Sequence, residues 1–305
     1  MCYRYRLTVS SAIIEVENLT KRYGDVRALR GVSFSVQEGE VFGLLGPNGA
    51  GKTTTVEILE GLRPADGGRA TVCGLDPHAS GDALKQEIGA VLQSTALPDK
   101  IRVSEALNMF ASFYTRHRDV GQLLERFGLE EKRQAFYSQL SGGQKQRLAL
   151  ALSLVNEPRV VFLDEPTAGL DPQVRREIYS IIEELKSKRK TILLTTHYIE
   201  EAERLCDHVA IVDHGQVIAL GSPRELKQRS AGKTRIEIRL ARPEPDGALG
   251  ALEAVSGCHS TDGVYVVHST GVPRTIVALV KYLEAQGNEL ASLEIATPSL
   301  EDVFL

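Results

Sequence analysis

Residues 46–53 read Gly46-Pro47-Asn48-Gly49-Ala50-Gly51-Lys52-Thr53, directly after the apolar run Val41–Leu45. The order G-x-x-x-x-G-K-T between a predicted buried strand and a predicted helix is the pattern of a phosphate-binding loop. The glycines let the backbone curl so that successive N–H groups point at phosphate oxygens, and the positive end of the helix adds to the attraction. The stretch therefore predicts a nucleotide site, with Lys52 on the β- and γ-phosphates and Thr53 on Mg²⁺.

A second apolar strand is predicted at Val160–Leu163, and it ends at Asp164 and Glu165. Open α/β sheets bind ligands at the carboxyl ends of their strands. We expect Asp164 to hold Mg²⁺ and Glu165 to polarise the attacking water as general base. Alone, such a run is also an ordinary strand end, but the nearby phosphate loop favours the catalytic interpretation.

The elements around these motifs alternate between strands and helices. Strands are predicted at Ile13–Gly24, Val32–Val36, Val41–Leu45, Val160–Leu163, Thr191–Thr195 and His208–Val212, and helices at Lys52 to about Gly61, Val174–Ser187 and Ile199–Cys206. This alternation indicates an α/β domain with a largely parallel sheet, interrupted by a mostly helical insertion at about 94–154.

A smaller second domain is predicted at the C-terminal end. Residues 231–305 contain six Lys or Arg against ten Asp or Glu, whereas residues 1–230 balance at 30 against 30. The segments TRIEIRL and GVYVVHS are typical of strands, and a helix is expected to end at Gly287. We therefore divide the chain into an N-terminal extension (1–12), an α/β domain (13–230) and a small α+β domain (231–305).

Composition excludes several protein classes. The net charge of -4 provides no basic face for nucleic acid. The four cysteines form no CxxC pair, which favours reduced thiols in the cytosol. No apolar run is long enough to span a bilayer, and the N-terminus lacks the apolar segment of a secretory signal. If the protein serves transport, we expect the pore to be another polypeptide.

A further motif identifies a family. Leu140-Ser141-Gly142-Gly143-Gln144, followed by KQRLALALSLV, matches the signature motif of ABC-transporter ATPases, which this sequence resembles. The remaining family motifs follow in the family's order: Tyr23 where an aromatic ring stacks on adenine, Gln93 in the Q-loop, Ala168-Gly169-Leu170-Asp171 as the D-loop, and His197 as the switch histidine.

The resemblance implies a fold and a set of site residues. The fold is a P-loop NTPase ABC cassette, with a mostly parallel sheet, an antiparallel β subdomain, a helical insertion and a small α+β C-terminal domain. ATP and Mg²⁺ are the implied cofactors. The implied ATP contacts are Tyr23, Gly46, Pro47, Asn48, Gly49, Ala50, Gly51, Lys52, Thr53 and Thr54; the catalytic residues are Glu165, His197 and Gln93; and the Mg²⁺ contacts are Thr53, Gln93 and Asp164.

The resemblance also implies partners. Ser141, Gly142, Gly143 and Gln144 would bind ATP held by a second subunit, with Asp171 at the dimer interface, so two copies are expected to sandwich two ATP molecules. A separate membrane permease and a peripheral position on the cytoplasmic face of the cell membrane are implied, with no nucleic-acid partner.

Direction of transport depends on a weaker signal. The ending Thr297–Leu305, TPSLEDVFL, resembles the tail of export-type ATPases of the daunorubicin-exporter group. An importer ATPase would share every other motif and remains the alternative. A soluble ABC ATPase acting on ribosomes or DNA is disfavoured, because the chain has one cassette, no sustained heptads and no basic block.

Overall fold

The computed structural model describes residues 12–92, 97–230, 234–261, 263–296 and 300. The chain forms two compact units, Met1–Ser222 and Pro223–Leu305. The boundary predicted near Ser230 lies at the end of a helix, Pro223–Ser230, that belongs to the second unit. The polar segment SPRELKQRS has the composition of a linker but forms a helix.

The first unit contains the predicted alternation of strands and helices. Its strands are β1 Ile14–Tyr23, β2 Val26–Val36, β3 Val41–Leu45, β4 Gly67–Val72, β5 Ile88–Val91, β6 Val160–Asp164, β7 Thr191–Thr196, β8 His208–Asp213 and β9 Gln216–Gly221. Its helices are α1 Lys52–Leu59, α2 Gly81–Glu87, α3 Val103–Ala111, α4 Val120–Arg126, α5 Gly142–Ser153, α6 Pro172–Ser187 and α7 Ile199–Leu205. Short 3₁₀ turns occupy Glu130–Lys132 and Tyr137–Gln139.

The central sheet has the strand order β5-β6-β7-β3-β8-β9. Its first five strands pair in parallel, and β9 pairs antiparallel with β8. Every residue of β3, β6 and β7 is buried, as is usual for parallel strands whose two faces are both covered. The predicted mostly parallel sheet is confirmed.

An antiparallel sheet of order β2-β1-β4 packs against it. In β2, Val32, Phe34 and Val36 are buried while the serines between them are exposed, which is the alternation of a sheet with one solvated face. The ring of Phe34 stacks on Phe42 of β3 with centroids 5.1 Å apart. This contact joins the two sheets in one core.

The helical insertion lies between β5 and β6, as predicted. Its helix α3 contacts both α4 and α5, and the three helices bury Leu107, Leu123, Leu124 and Leu148. Asp119 caps α4 by accepting a hydrogen bond from the Gln122 N–H at 3.0 Å. The polar stretch before α5 forms 3₁₀ turns instead of a continuous helix.

The second unit has its own core. Its elements are α8 Pro223–Ser230, β10 Thr234–Leu240, α9 Asp246–Gly250, β11 Val255–Thr261, β12 Val264–Ser269, α10 Val272–Gln286 and β13 Leu290–Ala296. The antiparallel order β11-β12-β10-β13 is a split β-α-β arrangement, the ferredoxin-like topology. Ile236, Tyr265 and Leu279 lie in its core. Gly287, at φ 60°, ends α10 where a helix end is predicted.

Glu60, directly after α1, is a carboxyl group in the core of the first unit. Its side chain is only 3% exposed, and neither oxygen accepts a hydrogen bond from any residue within the described ranges. Burial, together with the negative charges of Asp164 and Glu57, raises the pKa of Glu60 to about 8. At neutral pH the carboxyl group is therefore mostly protonated.

This pKa predicts a pH-dependent stability. The folded-state value of about 8 exceeds the ordinary value of 4.5, so Glu60 stabilises the fold below that lower value and loses this contribution as pH rises through the higher one. Glu60→Gln removes the titration. We expect its melting temperature to fall less than that of the wild type between about pH 5 and about pH 9, measured by calorimetry in EDTA.

The exposed Asp82→Asn provides the matched control, because it removes a carboxylate in water. Its melting temperature should follow the wild-type pH profile. If Glu60→Gln also follows that profile, the Glu60 carboxyl group does not titrate as its burial predicts.

Candidate active site

The phosphate-binding loop connects β3 to α1, where the sequence predicts it. Gly49 and Gly51 adopt φ values of 82° and 102°, which non-glycine residues rarely adopt. A Cβ on Gly51 would lie 2.7 Å from the Ala28 carbonyl oxygen, and one on Gly46 would lie 2.1 Å from that of Val212. The loop therefore needs glycine at these positions for steric reasons, before any ligand is considered.

A pocket of about 330 Å³ lies over this loop. Its lining residues are Tyr23, Ala28, Asn48, Gly49, Gly51, Lys52, Thr53, Thr54 and Glu165. The structure thus gathers most of the predicted ATP contacts and the predicted base around one space. Gly46, Pro47 and Ala50 belong to the same loop but do not line the pocket.

Lys52 connects the phosphate loop to the acidic pair, Asp164 and Glu165, at the end of β6. Its Nζ donates hydrogen bonds to the carbonyl oxygens of Gly46 at 2.8 Å and Pro47 at 3.1 Å. The same nitrogen lies 3.3 Å from Glu165 Oε1, and the two side chains are 4% and 8% exposed. Because so little water screens this pair, the ammonium and carboxylate groups attract each other more strongly than an exposed pair would.

Asp164 and Glu165 share a contact with Thr195 at the end of β7. Asp164 Oδ1 accepts hydrogen bonds from the Thr195 hydroxyl at 2.5 Å and the Thr53 hydroxyl at 3.3 Å. The Thr195 oxygen in turn accepts from the Glu165 N–H at 3.0 Å. Burial raises the pKa of the Asp164 carboxyl group, and the two hydroxyl groups oppose that shift. One threonine hydroxyl therefore orients both acidic residues.

Glu165 lies in an unusual backbone conformation. Its φ of 47° is in the left-handed region, which is uncommon for residues other than glycine and is enriched at functional sites. His197 Nδ1 lies 3.3 Å from Glu165 Oε2 without the alignment of a hydrogen bond. Lys52 and His197 therefore flank the two oxygens of one carboxylate.

Two cations hold Tyr23 at the mouth of the pocket. The Arg63 guanidinium lies 5.2 Å and the Lys21 ammonium 5.8 Å from the centre of its ring, within the range of cation–π contacts. Arg63 pairs with Glu57 at 2.6 Å and Lys21 with Asp66 at 2.7 Å. These contacts orient a partly exposed ring toward the pocket.

The signature residues form the beginning of α5. The Ser141 hydroxyl accepts from the Gln144 N–H at 3.3 Å, and the Gln144 side chain accepts from the Ser141 N–H at 2.9 Å, which is a capping box. Gly143 is buried against α6, where a Cβ would lie 2.7 Å from a methyl group of Val174. None of these residues lines the loop pocket.

Asp171 caps the N-terminus of α6, as Ser141 caps that of α5. Its Oδ1 accepts from the N–H groups of Gln173 and Val174, each at 3.0 Å, and Pro172 occupies the first helical turn. Such caps stabilise a helix by about 1 kcal/mol. Asp171 therefore has a structural role, in addition to its predicted place at an interface. The remaining predicted residue, Gln93, lies outside the described residues.

Two family models match the chain. The ABC transporter model matches residues 29–168, and the model of the C-terminal domain of DrrA1-3-like ATP-binding proteins matches residues 221–305. A Nod factor export ATP-binding protein I of Burkholderia orbicola is 39% identical over 308 residues, covering 97% of each chain. This chain belongs to the ATP-binding subunits of ABC transporters.

A second relative and a solved structure agree with this assignment. The daunorubicin resistance ATP-binding protein DrrA3 of Streptomyces coeruleorubidus is 39% identical over 97% of this chain and 96% of its own. A dimeric ATP-binding cassette, solved in a post-hydrolysis state with ADP and Pi, is 25% identical with a TM-score of 0.62, covering 68% of this chain and 98% of its own. This ABC subunit is an ATP hydrolase, and the predicted resemblance to the daunorubicin-exporter group is confirmed.

Sequence analysis of this ABC subunit does not identify every residue that orders the site. Thr195 is a polar residue near the end of an apolar strand, and only strand pairing reveals that it faces Asp164. Glu201, buried on α7, accepts hydrogen bonds from the Thr167 and Tyr179 hydroxyl groups. It links the segment after Glu165 to the helix that follows His197.

Removing the Thr195 hydroxyl tests whether its hydrogen bonds orient Asp164 and Glu165 in this ABC subunit. Thr195→Val leaves the Asp164 carboxylate and the Glu165 N–H each without one buried partner. We expect a loss of about 1–3 kcal/mol in the free energy of unfolding, measured in urea, and a loss of ATP turnover. Thr195→Ser keeps the hydroxyl and should cost about 0.8 kcal/mol for the lost methyl while retaining turnover. Wild-type values for Thr195→Val would exclude a role for the hydroxyl.

Proposed function

We propose that this chain is the ATP-hydrolysing subunit of an ABC exporter and drives export through a separate membrane permease. The observation that carries this proposal is its similarity, along 97% of its length, to a Nod factor export ATP-binding protein. The match of residues 221–305 to a DrrA-like C-terminal domain supports the same direction of transport. The subunit would lie on the cytoplasmic face of the cell membrane, bound to the permease.

In this proposal, ATP occupies the pocket over the phosphate loop. Adenine stacks on Tyr23, and backbone N–H groups of the loop after Pro47 and the N-terminus of α1 face the phosphates. Lys52 binds phosphate oxygens, which compete with Glu165 for its ammonium group. Binding of ATP would therefore release the Glu165 carboxylate from one partner.

Thr53 and Asp164 have the right chemistry for Mg²⁺. The hydroxyl oxygen of Thr53 and Oδ1 of Asp164 lie 3.3 Å apart, and Mg²⁺ prefers such oxygen ligands, completed by water and phosphate. Gln93 is proposed as a further contact. When bound, Mg²⁺ would neutralise charge on the phosphates.

Hydrolysis is assigned to Glu165 and His197. The strained backbone at the end of β6 directs the Glu165 carboxylate into the pocket, where it can accept a proton from the attacking water. His197, beside Glu165 Oε2, would hold the γ-phosphate and the surroundings of that water. When the site excludes bulk water, the interactions of Glu165 with the attacking water and of His197 with the γ-phosphate become stronger.

Two copies of the subunit would complete two sites. The signature residues Ser141–Gln144 lie at the beginning of α5, where Ser141 and Gly142 are exposed and form a suitable anchor for phosphate. None of the four lines the pocket of its own chain. The signature of one copy would therefore contact ATP on the other, with Asp171 at the interface. The dimeric form of the solved cassette supports this arrangement. Hydrolysis would reopen the dimer and move the permease.

Replacing the proposed base separates binding from hydrolysis. Glu165→Gln keeps the shape of the side chain but does not accept a proton. We expect turnover to fall about 10²–10⁴-fold with ATP binding retained, and the variant to accumulate as a closed dimer with ATP and Mg²⁺. Phosphate release and size-exclusion chromatography measure the two effects. The exposed Glu200→Gln, on α7, should behave as wild type; normal turnover in Glu165→Gln would refute the base assignment.

Purification with mild detergent from membranes of the native host tests the partner. We expect the tagged wild-type chain to recover a membrane permease that lacks an ATPase domain. An importer-type permease with a substrate-binding protein would reverse the proposed direction. Recovery of ribosomes or DNA without a membrane protein would overturn the transporter assignment.

A further inference from the structure

The imidazole of His197 lacks a hydrogen bond that would fix its orientation. Its Nδ1 is buried and has no hydrogen-bond partner within the described ranges. Glu165 Oε2 lies 3.3 Å from this nitrogen, but the two atoms are not aligned for a hydrogen bond. The χ2 torsion of a histidine has no sharply preferred value. The orientation of this ring therefore depends on the side chains that pack against it.

Tyr198, the next residue, packs directly against the imidazole. The centroids of the two rings lie 4.0 Å apart, at an interplanar angle of 40°. The Tyr198 N–H donates a hydrogen bond to the hydroxyl oxygen of Thr196 at 2.9 Å, which fixes the backbone between the end of β7 and the start of α7. The Tyr198 ring therefore limits the rotation of the His197 ring.

Arg175 of α6 packs in turn on the Tyr198 ring. Its guanidinium carbon lies 4.5 Å from the ring centre, within the range of cation–π contacts. Its Nε is buried without a hydrogen-bond partner among the described residues. In the same part of the chain, no ion pair joins this guanidinium group to a carboxylate. With no carboxylate to hold it, the guanidinium group is oriented by the Tyr198 ring.

The position of Arg175 is set by the beginning of its helix. The Arg175 N–H donates a hydrogen bond to the Asp171 carbonyl oxygen at 2.9 Å, and Asp171 caps α6. Arg175, Tyr198 and His197 thus form a row of three side chains in contact. The row begins at a capped helix start and ends at the imidazole beside Glu165.

We propose that Tyr198 is a positioning residue for ATP hydrolysis: its ring, held by Arg175, keeps the His197 imidazole in place beside the Glu165 carboxylate. The inference rests on the proposed function, which assigns hydrolysis to Glu165 and His197. Functional side chains need rotamers that are locked by packing, and a misplacement of about 1 Å lowers a rate about a hundredfold. Tyr198 does not line the ATP pocket, so it acts through His197.

The first test removes the ring. Tyr198→Leu keeps an apolar side chain, and we expect its kcat for ATP to fall about 10–100-fold. KM for ATP should not change, because Tyr198 lies outside the ATP pocket. The matched control Tyr198→Phe keeps the ring and should retain wild-type turnover. Steady-state phosphate release measures both constants, and equal losses in the two variants would overturn the role of the ring.

A double-mutant cycle tests whether Tyr198 acts through His197. His197→Ala removes the imidazole and should lower turnover by itself. If the Tyr198 ring only positions the imidazole, Tyr198→Leu should lower kcat no further in the His197→Ala background, because residues that act as a unit have non-additive effects. A loss of the same size in both backgrounds would show that Tyr198 acts independently, and the inference would be wrong.

The other end of the row is tested at Arg175. Arg175→Gln removes the cation and should lower kcat by less than Tyr198→Leu does, because the Tyr198 ring still contacts His197. Arg175→Lys keeps a cation over the ring and should restore part of the loss. Arg176→Gln changes the exposed next residue of α6 and should behave as wild type. Wild-type turnover in Arg175→Gln would overturn the role of Arg175.

Proton NMR of the histidine rings reports the position of the imidazole directly. The His197 signals are assigned by their loss in His197→Ala. Because an aromatic ring shifts the signals of protons close to its face, we expect the His197 ring signals to move in Tyr198→Leu and to stay near their wild-type positions in Tyr198→Phe. The other six of the seven histidines should keep their signals, which shows that the fold is intact.

The outcomes separate this inference from the proposed function. If His197→Ala keeps wild-type turnover, the assignment of hydrolysis to His197 fails, and this inference fails with it. If His197→Ala loses turnover but Tyr198→Leu does not, this inference alone is wrong. If the His197 ring signals do not move in Tyr198→Leu, the ring does not position the imidazole, and the proposed function still stands.

Discussion

The active site depends on the parallel pairing of β3, β6 and β7. Because these strands run in one direction, their carboxyl ends meet at one edge of the sheet. The register places Leu45 opposite Thr196 and Asp164 opposite Thr195. The phosphate loop, the acidic pair and the switch histidine follow these ends directly. Slippage of one strand would separate groups that lie more than a hundred residues apart in the chain, such as Thr53 and Asp164.

Buried charge is tolerated at this edge because each charged group has partners. Lys52 contacts two loop carbonyl groups and Glu165, and Asp164 accepts two threonine hydroxyl hydrogen bonds. Glu60, in the same core, has no such partner among the residues that the structure describes and remains protonated near neutral pH because burial raises its pKa to about 8. The contrast between these two buried acidic residues shows that hydrogen-bond partners keep one carboxyl group charged, whereas burial without them keeps the other neutral.

The fold is predictable from sequence where local patterns are strong. The buried strands β3 and β6 and the loop after β3 agree with the structure because continuous apolar runs and a glycine-rich turn have few alternative conformations. The polar helix α8 and the edge strands β11 and β13 escape prediction. Their sequences mix polar and apolar residues, and strand pairing or tertiary packing decides their conformation.

In the described parts of the chain, no helix is both long and apolar enough to cross a membrane.

The sequence by itself determined the family, the phosphate loop and the acidic pair, because steric and chemical demands on those residues are local and specific. Only the tertiary structure decided which other residues orient the side chains of the site. Thr195, Arg63 and Glu201 carry no motif, and each acts through a partner far away in sequence. The same holds for Glu60: the sequence shows its carboxyl group, but not that it is buried without a hydrogen-bond partner among the described residues. Burial and missing partners are properties of packing, which no local stretch of chain encodes.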